Sequence, residues 1–301
     1  KNKHILVIAP ASIPITGAEA ICNVKLLRVL SENGYKIDLI SKRMKYTHYP
    51  ETNLAELGLN LNSVNTIEVD NKISLKVIWQ HLCCLFIFGT VFKGAHWAYC
   101  VLKVAKELCK KNQYDAIITK NSPSELLGYY FKKKNGIKWI ATWNDPYPTK
   151  KYPKPYGNGV NAKLFILERP LLKKMEEADY HIFPNQRIRD YMSNYINIPA
   201  EKTRIIPHVV IPREHIDTPH ENLKIVHLGN VLPPRDATPF LRALSEFIKN
   251  KQDAKIEIAF IGQTPQSIKD YIKTTHLEKY VKVFPPVKYE ESQEILETYD
   301  I

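Results

Sequence analysis

Three short stretches combine residue types suited to an anionic, hydroxyl-bearing ligand. The first is LGNVLPPRDATPFLRALSEF, 228–247. An apolar run, Ile225–Leu228, ends in Gly229, a proline-broken turn carries Arg235, and Phe240, Leu241, Leu244 and Phe247 then repeat at helical spacing. Glycine lets a ligand approach the backbone, and a guanidinium forks onto phosphate oxygens. Arg235 reads either as a phosphate partner or as the partner of neighbouring Asp236 or of solvent. The second is APASIPITGAE, 9–19, in which Gly17 sits where a helix begins. Free N–H groups there suit an anion; a plain turn is the other reading. The third is TWNDPYP, 142–148. Asp145, between aromatics at a strand end, can take a proton or orient a hydroxyl, or it starts an Asp-Pro turn. Prolines 146, 148, 153 and 155 shape the loop beyond. No Ser-His-Asp arrangement, phosphate-cradling GxxxxGK[ST], GxGxxG or HExxH is present. His208 stands alone and reads as structural.

The elements that must hold these residues alternate between apolar runs and helical periods. Strands are expected at 4–9, 37–40, 115–119, 137–142, 180–183 and 204–206, with helices at 18–33, after Ser124 as far as the lysines before Gly136, at 164–178 and at 186–195. Ser124 is placed to cap the helix that runs to Lys132–Lys134. Pro207, Pro212 and Pro219 then punctuate a polar stretch without a period. Alternation restarts with strands at 224–228, 255–261 and 281–284 and helices at 238–249, 267–275 and 290–299. Two βα series predict an α/β protein of two doubly wound domains, 1–212 and 213–301. In such sheets ligands bind beyond the carboxyl ends of the strands.

Residues 74–111 break the rhythm. VIWQHLCCLFIFGTVF is apolar nearly all round, the pattern of a helix buried against the sheet. Contact with a membrane or a lipid is the second reading, helped by Trp79, Trp97 and flanking lysines.

The net charge of +12 is uneven: residues 1–212 carry 31 Lys and Arg against 17 Asp and Glu, a net of +14, and the rest is slightly acidic. That field favours an anionic membrane surface, a phosphorylated substrate or nucleic acid, or is plain solubility charge. No nucleic-acid-binding pattern accompanies it, so a nucleic-acid partner is not expected. Five cysteines without a CxxC read as reduced core residues of a cytoplasmic protein. His81 and Cys83 have no companions at metal-site spacing. KNKHILVIAP reads as a first strand rather than a secretory leader, and no apolar run is long enough to span a membrane.

Taken in order, these stretches resemble the GT-B glycosyltransferases, specifically the family 4-like group. AP…TGAE (9–19) resembles the family's P…GGAE opening, with Ala18 in place of the second glycine. GYKIDLIS (34–41) resembles GH.V.V.T, WNDPY the DPW segment, and EAD followed by HIFP (177–184) the AD stretch. IIPHVV (205–210) resembles the IPNGVD linker, LGNVLPPR the GR…K phosphate loop, and FIG (260–262) the VGxG turn. The resemblance implies two Rossmann-like domains, the second incomplete here, because the family continues with βα units bearing an E-x7-E motif. It implies transfer of a hexosyl or related group from a nucleotide-diphosphate sugar to a glycan or lipid-linked acceptor, with retention, in polysaccharide or glycoconjugate biosynthesis. The donor would lie mainly in the second domain and the acceptor in the first. By position, Arg235 stands for the family's phosphate-binding lysine and Asn230 for its usual arginine. Gly17, Ala18, Gly229 and Gly262 would adjoin the donor. Asn144 stands near a position where many members carry histidine or arginine, and Asp145 is the acceptor-side candidate. No metal or other cofactor is required, catalysis resting on stabilisation of the leaving diphosphate. A sugar-nucleotide epimerase of the same fold and a non-catalytic partner subunit are the alternatives, and a cytoplasmic location, peripheral on the inner membrane face, accompanies the reading.

Overall fold

A computed structural model describes residues 3–13, 17–43, 64–70, 76–89, 94–121, 123–147, 165–210, 220–232, 235–251 and 254–301. Pro148, Pro153 and Pro155 of the proline-shaped loop, Pro212 and Pro219 of the linker, Leu164, Pro233 and Pro234 lie outside the described residues. The chain divides into two units, the first reaching Ile211 and the second running from Pro212 to Ile301.

The first unit is built on a parallel sheet of seven strands. They are β1 (His4–Ile8), β2 (Lys36–Arg43), β3 (Val64–Asp70), β4 (Ala116–Lys120), β5 (Lys138–Thr142), β6 (Tyr180–Phe183) and β7 (Thr203–Ile205), in the order β3-β2-β1-β4-β5-β6-β7. β1 (HILVI) is apolar after His4 and β4 (AIITK) is apolar up to Thr119, the composition of central strands of a parallel sheet covered by helices on both faces. The β1–β4 register pairs Ile5 with Ala116 and Ile8 with Thr119. The helices are α1 (Ala18–Glu32), α2 (Val77–Phe88), α3 (Ala95–Lys111), α4 (Glu125–Asn135), α5 (Phe165–Met175) and α6 (Gln186–Ser193). Trp97, Trp139, Trp143, Phe131 and Phe183 fill the core between them and the sheet.

Gly128 of α4 lies against the Trp139 indole, where a Cβ would stand 2.1 Å from Nε1, while that nitrogen donates to Thr119 Oγ1 at 2.9 Å. The second unit carries β8 (Leu223–Leu228), β9 (Ile256–Ile261) and β10 (Val281–Phe284), parallel in the order β10-β9-β8, with α7 (Thr238–Asn250), α8 (Gln266–Thr274) and α9 (Tyr289–Leu296). Leu241, Leu244, Ile258, Phe260, Ile268 and Ile272 form its core.

Three readings of the sequence change. β3 (VNTIEVD) was not anticipated; it is a half-exposed edge strand, so only Val64 and Val69 are buried. Ser124 does stand before α4, yet its own backbone is helical and its hydroxyl donates to the Asn121 carbonyl rather than capping the helix. α2 is not buried against the sheet. Cys84 and Phe88 pack inward, and Ile78, Trp79 and Phe86 face solvent. His81 bonds the Val77 carbonyl and stacks on His96. The five cysteines are free thiols. No described helix is long and apolar enough to cross a membrane.

Candidate functional site

In the first unit the strand order reverses between β1 and β4, so the connections leaving their carboxyl ends diverge and open a crevice. The connection after β1 is tied down by Asn23 Nδ2, which donates to the Ala11 carbonyl (2.7 Å), and by Ser41 Oγ, which donates to that of Ile13 (2.6 Å). It delivers Gly17 as the N-cap of α1, with φ 140° and no side-chain cap. Ala18 and Glu19 follow at the mouth of the crevice.

Asn121, just past β4, connects the other walls. It is a non-glycine residue held at φ 58°, a conformation that costs on the order of 1–2 kcal/mol and persists only where neighbours impose it. Its Nδ2 donates to Glu19 Oε1 (2.8 Å), and its Oδ1 accepts from the Asn144 N–H (2.9 Å). Lys120 Nζ donates to Asn144 Oδ1 at 3.3 Å. One residue thus registers the first turn of α1 with the loop after β5, which carries Asn144 and the exposed Asp145.

The electrostatics match a site that handles charge and protons. Burial lowers the Lys120 ammonium to about 8, with Glu19 opposing the shift. Partial burial raises Glu19, against the bond from Asn121, and Asp145 raises it further. Partial burial with Lys120 nearby lowers His208, and Asp145 works the other way. His208, read from the sequence as structural, therefore shares the crevice with Asp145 and Lys120. Glu125, at the start of α4, is wholly enclosed and bonds no other residue; burial raises it to about 8, so it is protonated at neutral pH.

Glu19 stands in the sequence only as the last residue of the TGAE stretch, with no role attached to it, and nothing local singles out Asn121 or Glu125. A lysine ending an otherwise apolar strand is the one signal that could have found Lys120. Among the described residues no three His, Cys, Asp or Glu side chains gather closely enough to share a metal ion.

In the second unit the turns after β8 and β9 meet back to back. Gly229 has φ 135° and Gly262 φ 143°, and a Cβ on Gly262 would stand 2.3 Å from the Gly229 carbonyl oxygen. The contact is braced by Asn230, whose Oδ1 accepts from the Gln263 N–H (2.8 Å), and by the Val231 N–H, which donates to the Gln263 carbonyl (2.9 Å). Asn230 thus locks two loops together.

Asp236 does not take Arg235: its Oδ1 accepts from the Thr238 N–H (2.8 Å). Arg235 reaches the Asn230 carbonyl only at 3.5 Å and has no carboxylate at ion-pair distance among the described residues. Gly229, Asn230 and Arg235 of the turn after β8 accordingly meet Gly262 of the turn after β9, with the guanidinium held only by one long bond to a carbonyl, while Gly17, Ala18, Asn144 and Asp145 gather at the crevice of the first unit.

Residues 21–214 match the family described as Glycosyltransferase Family 4, and the chain belongs to it. No curated protein matches the chain. Among solved structures it is similar to a glycosyltransferase from Rickettsia africae ESF-5, at 14% identity and TM-score 0.58 over 95% of this chain and 69% of that one. It is also similar to S. aureus TarM, solved with fondaparinux, alpha-GlcNAc-glycerol and UDP, at 10% identity and TM-score 0.63 over 99% and 80%. A third is a UDP-N-acetylglucosamine 2-epimerase (so described) from Listeria monocytogenes, at 12% identity and TM-score 0.56 over 98% and 72%. Likeness at such identity establishes the fold, which is GT-B with Rossmann-like units. The family match favours a transferase over an epimerase.

Proposed function

We propose that this chain moves a sugar from a nucleotide-diphosphate sugar to a glycan or lipid-linked acceptor, with retention, in polysaccharide or glycoconjugate assembly. The observation that carries the reading is the Gly229–Gly262 contact with Arg235 beside it, held only by one long bond to a carbonyl. A diphosphate can approach the backbone there and meet a fork of N–H donors. The acceptor belongs to the first unit, where Asp145, Glu19, Lys120 and Asn144 offer partners for hydroxyl and anionic groups. The bond from the anomeric carbon to the diphosphate oxygen breaks, and the diphosphate leaves with the electron pair. The acceptor oxygen bonds that carbon on the face the diphosphate leaves, which retains the configuration, and its proton passes to the departing diphosphate oxygen; Asp145 orients the acceptor hydroxyl. The net +14 of residues 1–212 suits an anionic acceptor met at an anionic membrane surface.

The test is a calorimetric titration of the chain and of Arg235→Ala with UDP, GDP and their sugars, uridine first because the S. aureus neighbour holds UDP. One nucleotide is expected to bind, with the variant weaker by about 10- to 100-fold. Binding of none, or equal binding by the variant, overturns the reading.

A further inference from the structure

Helix α2 reads VIWQHLCCLFIF and holds no Lys, Arg, Asp or Glu. Cys84 and Phe88 are buried, whereas Ile78 is 73% exposed, Trp79 64% and Phe86 85%, with Leu82 and Leu85 also exposed. At about 100° per residue, positions 78, 79, 82, 85 and 86 fall within one arc of roughly 120°, turned away from Cys84 and Phe88. Scattered exposed apolar residues are ordinary on a protein surface; a continuous arc of five is the signature of an interaction surface.

The arc lies in a basic setting. Lys76 directly precedes the helix. Lys106 of α3 lies 5.0 Å over the Tyr130 ring, which stands edge-on to Phe88. Lys174 of α5 places its Nζ 3.8 Å from where a Cβ on Gly89 would be and lies 5.7 Å over Tyr129. Lys133 shares the Tyr129 ring at 5.9 Å and is paired with Glu177.

We propose that α2 docks this chain on an anionic bilayer. It lies in the plane of the interface, with Ile78, Trp79, Leu82, Leu85 and Phe86 entering the boundary between headgroups and acyl chains, and Lys76, Lys106 and Lys174 meeting lipid phosphates. Twelve residues make a helix about 18 Å long, too short to span and suited to lying flat. Tryptophan favours that depth. Charge decides between a membrane and a second copy of the chain. A two-fold contact through α2 would bring the lysines of both copies around one patch, whereas anionic headgroups neutralise them. The inference does not depend on sugar transfer, because docking is read without turnover.

The experiment floats the full chain with vesicles of phosphatidylglycerol and phosphatidylcholine, or of phosphatidylcholine alone. Partition into the anionic vesicles is expected, at least tenfold weaker on phosphatidylcholine alone. Binding should produce a blue shift of tryptophan emission that Trp79→Phe abolishes, since Trp97, Trp139 and Trp143 are already buried. Trp79→Ser/Phe86→Ser should lower partition at least tenfold with an unchanged melting curve. Lys106→Glu/Lys174→Glu should weaken binding only on the anionic vesicles. No partition by the parent chain overturns the proposal, as does equal partition by the Trp79/Phe86 variant. A dimer in solution that this variant dissociates assigns the face to a second copy instead and equally overturns it.

Discussion

Gly229 and Gly262 form a matched pair of perturbations. Both hold a positive φ that strains an L-residue, so alanine at either costs about 1–2 kcal/mol in backbone strain alone. They differ in the space a methyl group would enter. Nothing lies within 4 Å of a Cβ on Gly229, whereas one on Gly262 would stand 2.3 Å from the Gly229 oxygen and 2.6 Å from its carbon. Those are backbone atoms, and the Gly229 N–H is itself committed to the Ile261 carbonyl at 2.9 Å. No rotamer relieves the clash, so the turn must open, at a further cost of about 1–3 kcal/mol. Gly229→Ala should therefore destabilise the second unit by roughly 1–2 kcal/mol and Gly262→Ala by roughly 2–5 kcal/mol.

Urea unfolding separates the units, because all four tryptophans lie before residue 212. Tryptophan emission follows the first unit, and ellipticity lost without a change in emission reports the second. Equal losses from the two variants, or a Gly262→Ala loss that appears in the emission, would refute the reasoning.

Two further outcomes concern the first unit. Glu125 has its folded pKa raised from 4.5 to about 8, so its contribution is intact below 4.5 and lost as pH rises towards 8; burial lowers Lys120 from 10.5 to about 8, and that penalty lifts only between 8 and 10.5. Burial lowers His181 from 6.5 to about 4, so its penalty lifts as pH rises from 4 to 6.5 and offsets the Glu125 loss there. Melting temperature against pH should therefore fall mainly between about 6.5 and 8, and Glu125→Gln should remove most of that fall and stabilise the chain at pH 7 by about 3 kcal/mol; a parent curve flat from about 6.5 to 8 counts against an enclosed, uncompensated carboxyl. Gly128→Ala drives a methyl group into the Trp139 indole and strains its bond to Thr119, a cost of about 2–4 kcal/mol, and unchanged urea unfolding by tryptophan emission would show that α4 can move aside.

The turn at Gly229 was legible in the sequence because glycine, prolines and arginine sit within one loop, where local pattern suffices. The crevice at the end of β4 was not. Glu19 and Asn121 lie 102 residues apart, and only the strand order brings them together. Gly17 and Asp145 could be singled out by local chemistry, but nothing local shows that Asn121 registers their loops through Glu19 and Asn144. α2 marks a different boundary. Apolarity all round is what a buried helix and a docking helix have in common, and only the packing of Cys84 against Ala95 of α3 and of Phe88 beside Tyr130 of α4, with the opposite arc left bare, tells them apart. β3 escaped because an edge strand with two buried residues has too little apolar signal to rise above a loop.

The strand order also sets a timetable for biosynthesis. β1, entirely apolar after His4, takes its second neighbour only when β4 has been made, more than a hundred residues later. At ~5–20 residues per second that interval is roughly 5–20 s. Throughout it the nascent chain carries an unpaired apolar strand edge, the kind of surface that invites mispairing. The crevice does not begin to form until Lys120 and Asn121 arrive at the end of β4, so the strand that covers the bare edge of β1 is also the one that founds the site, which Asn144 and Asp145 then complete after β5.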